Sequence, residues 1–332
     1  MKWENERVVV FGGSGCLGYA IIRQLLARGC HIRSFQRSPI PEYEELGIKV
    51  VRGDIRSLEQ VKAACRGCTA VIHTAALAGY WGNYHDYYSI NVEGTINVLQ
   101  ACQDHGIRRM VYTSSSSVAY VPDHNVEGID EKEPYPPHYL CHYSATKSIA
   151  EKHVLGAFNR DLSAICLRPH LIWGPGDKYL LPEVIRRARR KILYQVGDGS
   201  NMIDLSYVEN IAAAHLLALE YLERQNRLRR AYFITDGMQV NMWQWISELL
   251  NELGEPGVSA VWSLEKAWRV GKYSEKIYKY LPFQPFLTRF LAGHLGYSHY
   301  FNTSAAAQDL GYKPRIAPEQ AMSKTLEWLR NC

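Results

Sequence analysis

Two residues four apart, Tyr143 and Lys147 in the run Tyr143-Ser144-Ala145-Thr146-Lys147, have the types and spacing to move a proton. On a helix that spacing sets both side chains on one face. A phenol has a reference pKa of about 10, too high for acid–base work at neutral pH, and a nearby ammonium lowers it by stabilising the phenolate. Tyr143 thereby becomes usable as an acid or a base. The pair gains force from Thr113 and the four serines that follow it, Ser114 to Ser117, at the end of an apolar run. Doubly wound sheets bind ligands at the carboxyl ends of their strands. Ser115 is the serine expected to hydrogen-bond a substrate oxygen, with Ser116 beside it on the substrate side. Turn chemistry alone also accounts for a serine-rich segment.

A second group concerns phosphate. Gly12, Gly15 and Gly18 are spaced G-x-x-G-x-x-G between the apolar run Val8–Phe11 and a helical pattern. Without side chains the backbone turns tightly and approaches a pyrophosphate, which the helix N-terminus stabilises. Ser14, Cys16 and Leu17 complete this loop. NAD-binding versions carry an acidic residue at the end of the second strand for the ribose hydroxyls. Here Gln36, Arg37 and Ser38 occupy that place. Loss of the carboxylate removes repulsion of a 2′-phosphate, and a guanidinium bonds one strongly. NADP(H) is therefore expected over NAD(H). Asp54 and Ile55, after the third strand, border the adenine.

These groups need a scaffold that carries them to one edge. Leu17, Ile21, Leu25 and Leu26 recur at helical spacing until Gly29. Strands are expected at 31–35, 48–51, 70–72, 110–113 and 164–167, and helices at 58–65, within 84–105 and at 143–158. Strands separated by helices of this length cannot form hairpins, so the sheet is parallel and doubly wound. After Arg168 the run Pro169, Gly174, Pro175 and Gly176 breaks regular structure. A further helix at 206–220 and strand at 232–236 return to the sheet. The expected organisation is a dinucleotide-binding domain over 1–174, rejoined by 203–238. A smaller, mostly helical substrate-binding domain takes 175–202 and 239–332.

Composition narrows the class. The 332 residues are 47% apolar and 21% charged, with a formal charge of +5, ordinary for a globular protein. The basic cluster Arg186, Arg187, Arg189, Arg190 and Lys191 reads as a solvated helix face, so no nucleic acid is expected. The opening MKWENERVVV lacks the apolar core of a secretory signal, and no run is long enough to span a membrane. Eight cysteines at irregular spacing suggest reduced thiols and a cytoplasmic location. Cys65 and Cys68 have no partner pair at zinc spacing, so no metal is expected.

The set FGGSGCLG, GDI, HTAA, NVEGT, YTSS, YSATK and LRPHLIWGPGD resembles the extended short-chain dehydrogenase/reductases over residues 7 to 177. Downstream, GDGSNMIDLSYVENIAAAHLLA and HYFNTSAAAQDLGYKP resemble the 3β-hydroxysteroid dehydrogenase branch. That branch includes sterol dehydrogenases and 2-alkyl-3-ketoalkanoate reductases. The resemblance implies Ser115, Tyr143 and Lys147 as the catalytic triad, with Lys147 also holding the nicotinamide ribose. It implies that His73, Thr74, Ala75 and Ala76 line the cofactor and that Asn91 packs near the site. Thr113 joins the cofactor set, and the backbone of Pro169, His170 and Leu171 meets the nicotinamide end. A homodimer is implied as well. Two departures stand out: Phe11 replaces the usual threonine, and the acidic residue of the second strand is missing.

The implied chemistry is reversible hydride transfer between the cofactor and a ketone or secondary alcohol. Tyr80, Trp81, Tyr84, Tyr87 and Tyr88 follow HTAA, and Trp262, Trp268, Tyr273, Tyr278, Tyr280, Phe283 and Phe286 lie further on. Such a wall suits a bulky apolar substrate, with Trp81, Ser116 and His170 contacting it. Aromatics at irregular spacing are also ordinary core. The stretch 261–291 is broken by Glu265, Lys266, Arg269, Lys272, Glu275, Lys276 and Lys279. It reads as a helical lid, with contact to a bilayer surface as the second reading. Two alternatives share this fold: a nucleotide-sugar epimerase, dehydratase or reductase, and a non-catalytic NADP(H) sensor.

Overall fold

The structure is a computed structural model that describes residues 1–157 and 161–331. Strand β1 (Arg7–Phe11) runs through the glycine loop into α1 (Cys16–Leu26). There follow β2 (His31–Gln36), α2 (Pro41–Glu45), β3 (Lys49–Arg52), α3 (Leu58–Cys65) and β4 (Ala70–His73). Next come α4 (Tyr84–Tyr87), α5 (Gly94–Asp104) and β5 (Arg109–Thr113). A π-helical turn, Tyr88–Glu93, joins α4 to α5. One expected helix thus contains a widened turn, a feature frequent at functional sites.

The chain continues through β6 (Val126–Ile129), α6 (His142–Leu155), β7 (Ser163–Pro169), β8 (Ile172–Trp173), α7 (Leu180–Arg189) and β9 (Tyr194–Val196). Then come β10 (Met202–Asp204), β11 (Ser206–Tyr207), α8 (Val208–Glu223), β12 (Arg229–Ile234), β13 (Gln239–Asn241) and α9 (Met242–Glu252). The last elements are β14 (Ala260–Trp262), α10 (Leu264–Tyr278), α11 (Arg289–Gly296), β15 (His299–Phe301), α12 (Ser304–Leu310) and α13 (Pro318–Arg330).

Seven strands form one parallel sheet in the order β12-β7-β5-β4-β1-β2-β3. Alternation along β1 sends Val8 and Val10 into the apolar layer with α1 and α8, and Val9 and Phe11 into the layer on the other face. From β1 the chain winds outward through β2 and β3, then returns to β4 and winds the other way. That reversal opens a crevice beyond the carboxyl ends of β1 and β4, where such sheets bind ligands.

Several elements differ from the expectation. The helix expected from Ser206 begins at Val208, because Ser206 and Tyr207 pair with Ile172 and Trp173. Helix α6 ends at Leu155, and position 158 of the expected helix lies outside the described residues. A second sheet, β13-β10-β15-β6, recruits β6 from the first half of the chain beside β15 near the end. Helix α11 lies directly on the loop before β6: a Cβ at Gly293 would come within 1.6 Å of the Pro122 carbonyl oxygen. No helix among the described residues is long and apolar enough to cross a membrane.

Candidate active site

The glycine loop is shaped by contact. Gly12 has φ +88°, and a Cβ there would lie 2.7 Å from the Ala75 nitrogen, so β1 and the loop after β4 meet without side chains between them. A Cβ at Gly18 would lie 2.2 Å from the Gly12 carbonyl oxygen. Among the described residues no side chain caps α1 at Gly15, which leaves its first N–H groups free for an anion. Leu17 is buried beneath the loop and Ser14 half-buried in it. The Cys16 thiol donates to the Pro175 carbonyl at 3.1 Å and joins this loop to the segment after β8. Burial holds that thiol protonated, up to about 12. The loop therefore fits a dinucleotide pyrophosphate.

At the adenosine end Gln36 is buried and internally bonded. It accepts from Ser34 Oγ at 2.6 Å and donates from Nε2 to the Ser38 carbonyl at 2.9 Å. Arg37 and Ser38 are exposed. Asp54 pairs with Arg56 at 2.6 Å, and that bond holds its carboxyl below the usual range. Ile55 is buried against Gly94, where a Cβ would meet it at 2.7 Å.

Tyr143 and Lys147 lie on α6, one turn apart. Lys147 is buried, and its Nζ donates to the Thr113 carbonyl at 2.6 Å and sits 4.1 Å from the centre of the Tyr112 ring. Burial lowers this ammonium to about 7. Burial also raises the Tyr143 phenol to about 12, against a smaller opposing effect of the Ser115 hydroxyl. The phenol is thus not lowered by Lys147 as the spacing suggested, because the ammonium is turned to the end of β5. Ser115 is half-buried and shares a hydroxyl contact with Ser117 at 2.9 Å.

Asn91, in the π turn, ties the site together. Its Nδ2 donates to the Leu77 carbonyl and to Thr146 Oγ1, both at 3.1 Å, and its Oδ1 accepts from the Leu77 N–H at 2.7 Å. The loop carrying Thr74, Ala75 and Ala76 is thereby fixed to α6 between its two catalytic candidates. Thr74 Oγ1 donates back to the Phe11 carbonyl at 2.9 Å. Thr113 donates its hydroxyl to His215 Nε2 at 2.7 Å, since His215 Nδ1 is committed to the Ile211 carbonyl. His215 carries no motif, and sequence reasoning missed it.

Ser116 and His170, both expected to face substrate, instead face each other. Both are buried, and Ser116 Oγ lies 2.7 Å from His170 Nδ1. His170 Nε2 lies 2.7 Å from His299 Nδ1, and His299 Nε2 lies 2.8 Å from the His294 carbonyl oxygen. A carbonyl only accepts, so the protons are ordered along the whole chain, from Ser116 through His170 and His299 to His294. The three imidazoles approach within 4.8 Å. The bond between His170 and His299 occupies the lone pair a metal ion would need. After His170 comes Leu171, with φ +44°, in the left-handed region.

The aromatic wall is only partly a wall. Tyr87 is buried and donates to the Trp81 carbonyl at 3.2 Å, and Trp81 is half-buried. Trp262 and Phe286 form a cluster with Tyr194, whereas Tyr273, Tyr280 and Phe283 are exposed. The basic cluster also divides: Arg186 and Arg189 are exposed ion pairs, but Arg187 is buried.

A family model described as the 3-beta hydroxysteroid dehydrogenase/isomerase family matches residues 9–265. The chain belongs to that family. Among its relatives, the 2-alkyl-3-oxoalkanoate reductase of Stenotrophomonas maltophilia is 41% identical, over 96% of this chain and 98% of that one. The human sterol-4-alpha-carboxylate 3-dehydrogenase, decarboxylating, is 30% identical over 99% of this chain and 89% of that one. In fold, the chain is similar to MoeE5 in complex with UDP-glucose and NAD, with TM-score 0.77 and 24% identity, covering 98% and 99% of the two chains. This 3-beta hydroxysteroid dehydrogenase family member is an oxidoreductase of ketone and secondary-alcohol groups on apolar substrates. MoeE5 is described with NAD bound, and the glycine loop of this chain fits the pyrophosphate of a dinucleotide of that kind.

Proposed function

We propose that the enzyme uses NADPH to reduce a bulky, 2-substituted 3-oxo acid to the 3-hydroxy acid. The observation that carries this is the convergence of α6 on the end of β5: Lys147 bonds the Thr113 carbonyl at 2.6 Å, two residues before Ser115 and one turn after Tyr143. The relatives named above act on 2-alkyl-3-oxoalkanoates and on a sterol 4-carboxylate. In both, a carboxylate sits on the carbon next to the one that changes oxidation state.

Bound nicotinamide supplies the hydride. Ser115 donates to the substrate oxygen, and Tyr143 gives that oxygen its proton as negative charge develops there. A phenol held near 12 is protonated at neutral pH, which is the form reduction requires. Exposed Arg37, beside a Gln36 whose amide is already committed, favours the 2′-phosphate of NADP(H). Residues 1–174 with 203–238 hold the dinucleotide, residues 175–202 and 239–332 cover the substrate, and the enzyme works as a homodimer.

The test follows NADPH consumption with 2-alkyl-3-oxo acids in the native enzyme and in Tyr143→Phe. Turnover is expected to fall by about 10²–10⁴-fold, the range for loss of a general acid. A near-normal rate in the variant overturns the mechanism.

A further inference from the structure

Arg187 differs from every other member of its basic cluster. It is 7% exposed, on α7. Its Nε donates to Glu183 at 2.6 Å, and its Nη2 donates to the Tyr80 hydroxyl at 3.3 Å and to the Phe286 carbonyl at 3.0 Å. The guanidinium also lies over the Phe286 ring, 5.2 Å from its centre. Three remote segments meet on one cation: the loop after β4, helix α7 and the approach to α11. Nη1 has no hydrogen-bond partner among the described residues, and it is not sealed from solvent.

Glu183 does not neutralise this cation. The same carboxylate accepts from Arg186 at 2.7 and 2.6 Å, so two guanidinium groups share one negative charge and one positive charge is left over. The surplus lies against the loop after β4, which Asn91 ties to Thr146 on α6 through Leu77. Tyr80 belongs to the loop whose Gly79 and Gly82 press on Tyr87, where a Cβ at either would lie 3.1 Å from that side chain. The Tyr87 phenol is raised to about 12 by burial and then by Cys141, Tyr143, Tyr179 and Tyr80 around it. The Tyr87 ring also lies 6.2 Å from that of His142, the residue before Tyr143 on α6, and Arg187 bonds the hydroxyl of Tyr80 in the same loop.

We propose that Arg187, with the Tyr80 hydroxyl, binds the carboxylate of the 3-oxo acid and makes the enzyme select the acid over its neutral analogues. This rests on the reduction proposed above. A guanidinium in a poorly solvated, aromatic enclosure bonds a carboxylate far more strongly than it would at the surface, and the tie to Phe286 keeps it in place. The carboxylate would settle the leftover charge of the Glu183, Arg186 and Arg187 group.

The experiment compares kcat/KM for a 2-alkyl-3-oxo acid with that for its methyl ester, in the native enzyme, Arg187→Gln and Tyr80→Phe. The native enzyme is expected to prefer the acid. The acid-to-ester ratio is expected to fall about 10–100-fold in Arg187→Gln, as loss of a charged hydrogen bond implies. A smaller fall, about 3–10-fold, is expected in Tyr80→Phe, which leaves the bond to Phe286 intact and decides the matter if Arg187→Gln does not fold. An unchanged ratio, with acid and ester declining together, overturns the proposal and leaves Arg187 a cross-link. Equal native rates on acid and ester overturn it too, with the reduction still standing. Native enzyme that reduces neither overturns the reduction itself.

Discussion

Lys147 reaches from α6 to the carbonyl of Thr113, and that 2.6 Å bond fixes the helix to the last residue of β5. Because the ammonium is buried, it titrates at about 7 in the fold and at about 10.4 in the unfolded chain. Between those values the unfolded state holds the extra proton, so stability rises with pH. Below about 7 both states are charged and the penalty is constant. Urea unfolding from pH 7 to 10 is expected to show this rise in the native protein, and Lys147→Met is expected to remove its share of the slope. Parallel pH profiles for the two proteins would refute it.

Arg37→Ala tests the cofactor preference. Removal of one charge-assisted bond to a 2′-phosphate is expected to weaken NADPH about 10–100-fold in a direct titration, with NADH little affected. An equal loss for both cofactors would count against the assignment.

Gly293→Ala probes how α11 is seated. The new methyl would enter the Pro122 carbonyl, a backbone atom with no rotamer to escape to. A destabilisation of about 1–3 kcal/mol is expected from denaturant unfolding, the range for overpacking.

The pair Glu151 and Arg168 is buried between α6 and β7, with Nη2 and Oε1 at 2.6 Å and the Tyr135 hydroxyl donating to the same carboxylate at 2.6 Å. Glu151→Ala leaves a buried guanidinium unpaired and is expected to lose about 3–5 kcal/mol of stability. A loss below about 1 kcal/mol, typical of a surface pair, would show the site to be wetter than its burial implies.

Much of the dinucleotide half was legible because its signals are local. An apolar strand, a glycine triplet and a helical repeat lie within twenty-odd residues, and Tyr143 and Lys147 declare themselves within a single turn. What was not legible depends on remote partners. β6 is four residues, Val-Glu-Gly-Ile, without alternation, and it becomes a strand because β15 lies beside it. Ser116 and His170 each looked substrate-facing, and only the fold shows that they satisfy one another. Arg187 read as solvated because Phe286 and Tyr80, which cover it, are about a hundred residues away in either direction.

The borrowed strand β6 has a practical consequence for anyone who wants to change what this enzyme accepts. The substrate cover proposed above is not a self-contained cassette, since its strands at 239–241 and 299–301 share a four-stranded sheet with residues 126–129 and 202–204, which fall largely in the proposed dinucleotide part. A chimera that exchanges the tail alone leaves β15 beside a foreign neighbour and Gly293 against a foreign loop. Specificity grafted from a relative has to travel as two pieces, the loop and strand from Pro122 to Ile129 together with the carboxyl-terminal third.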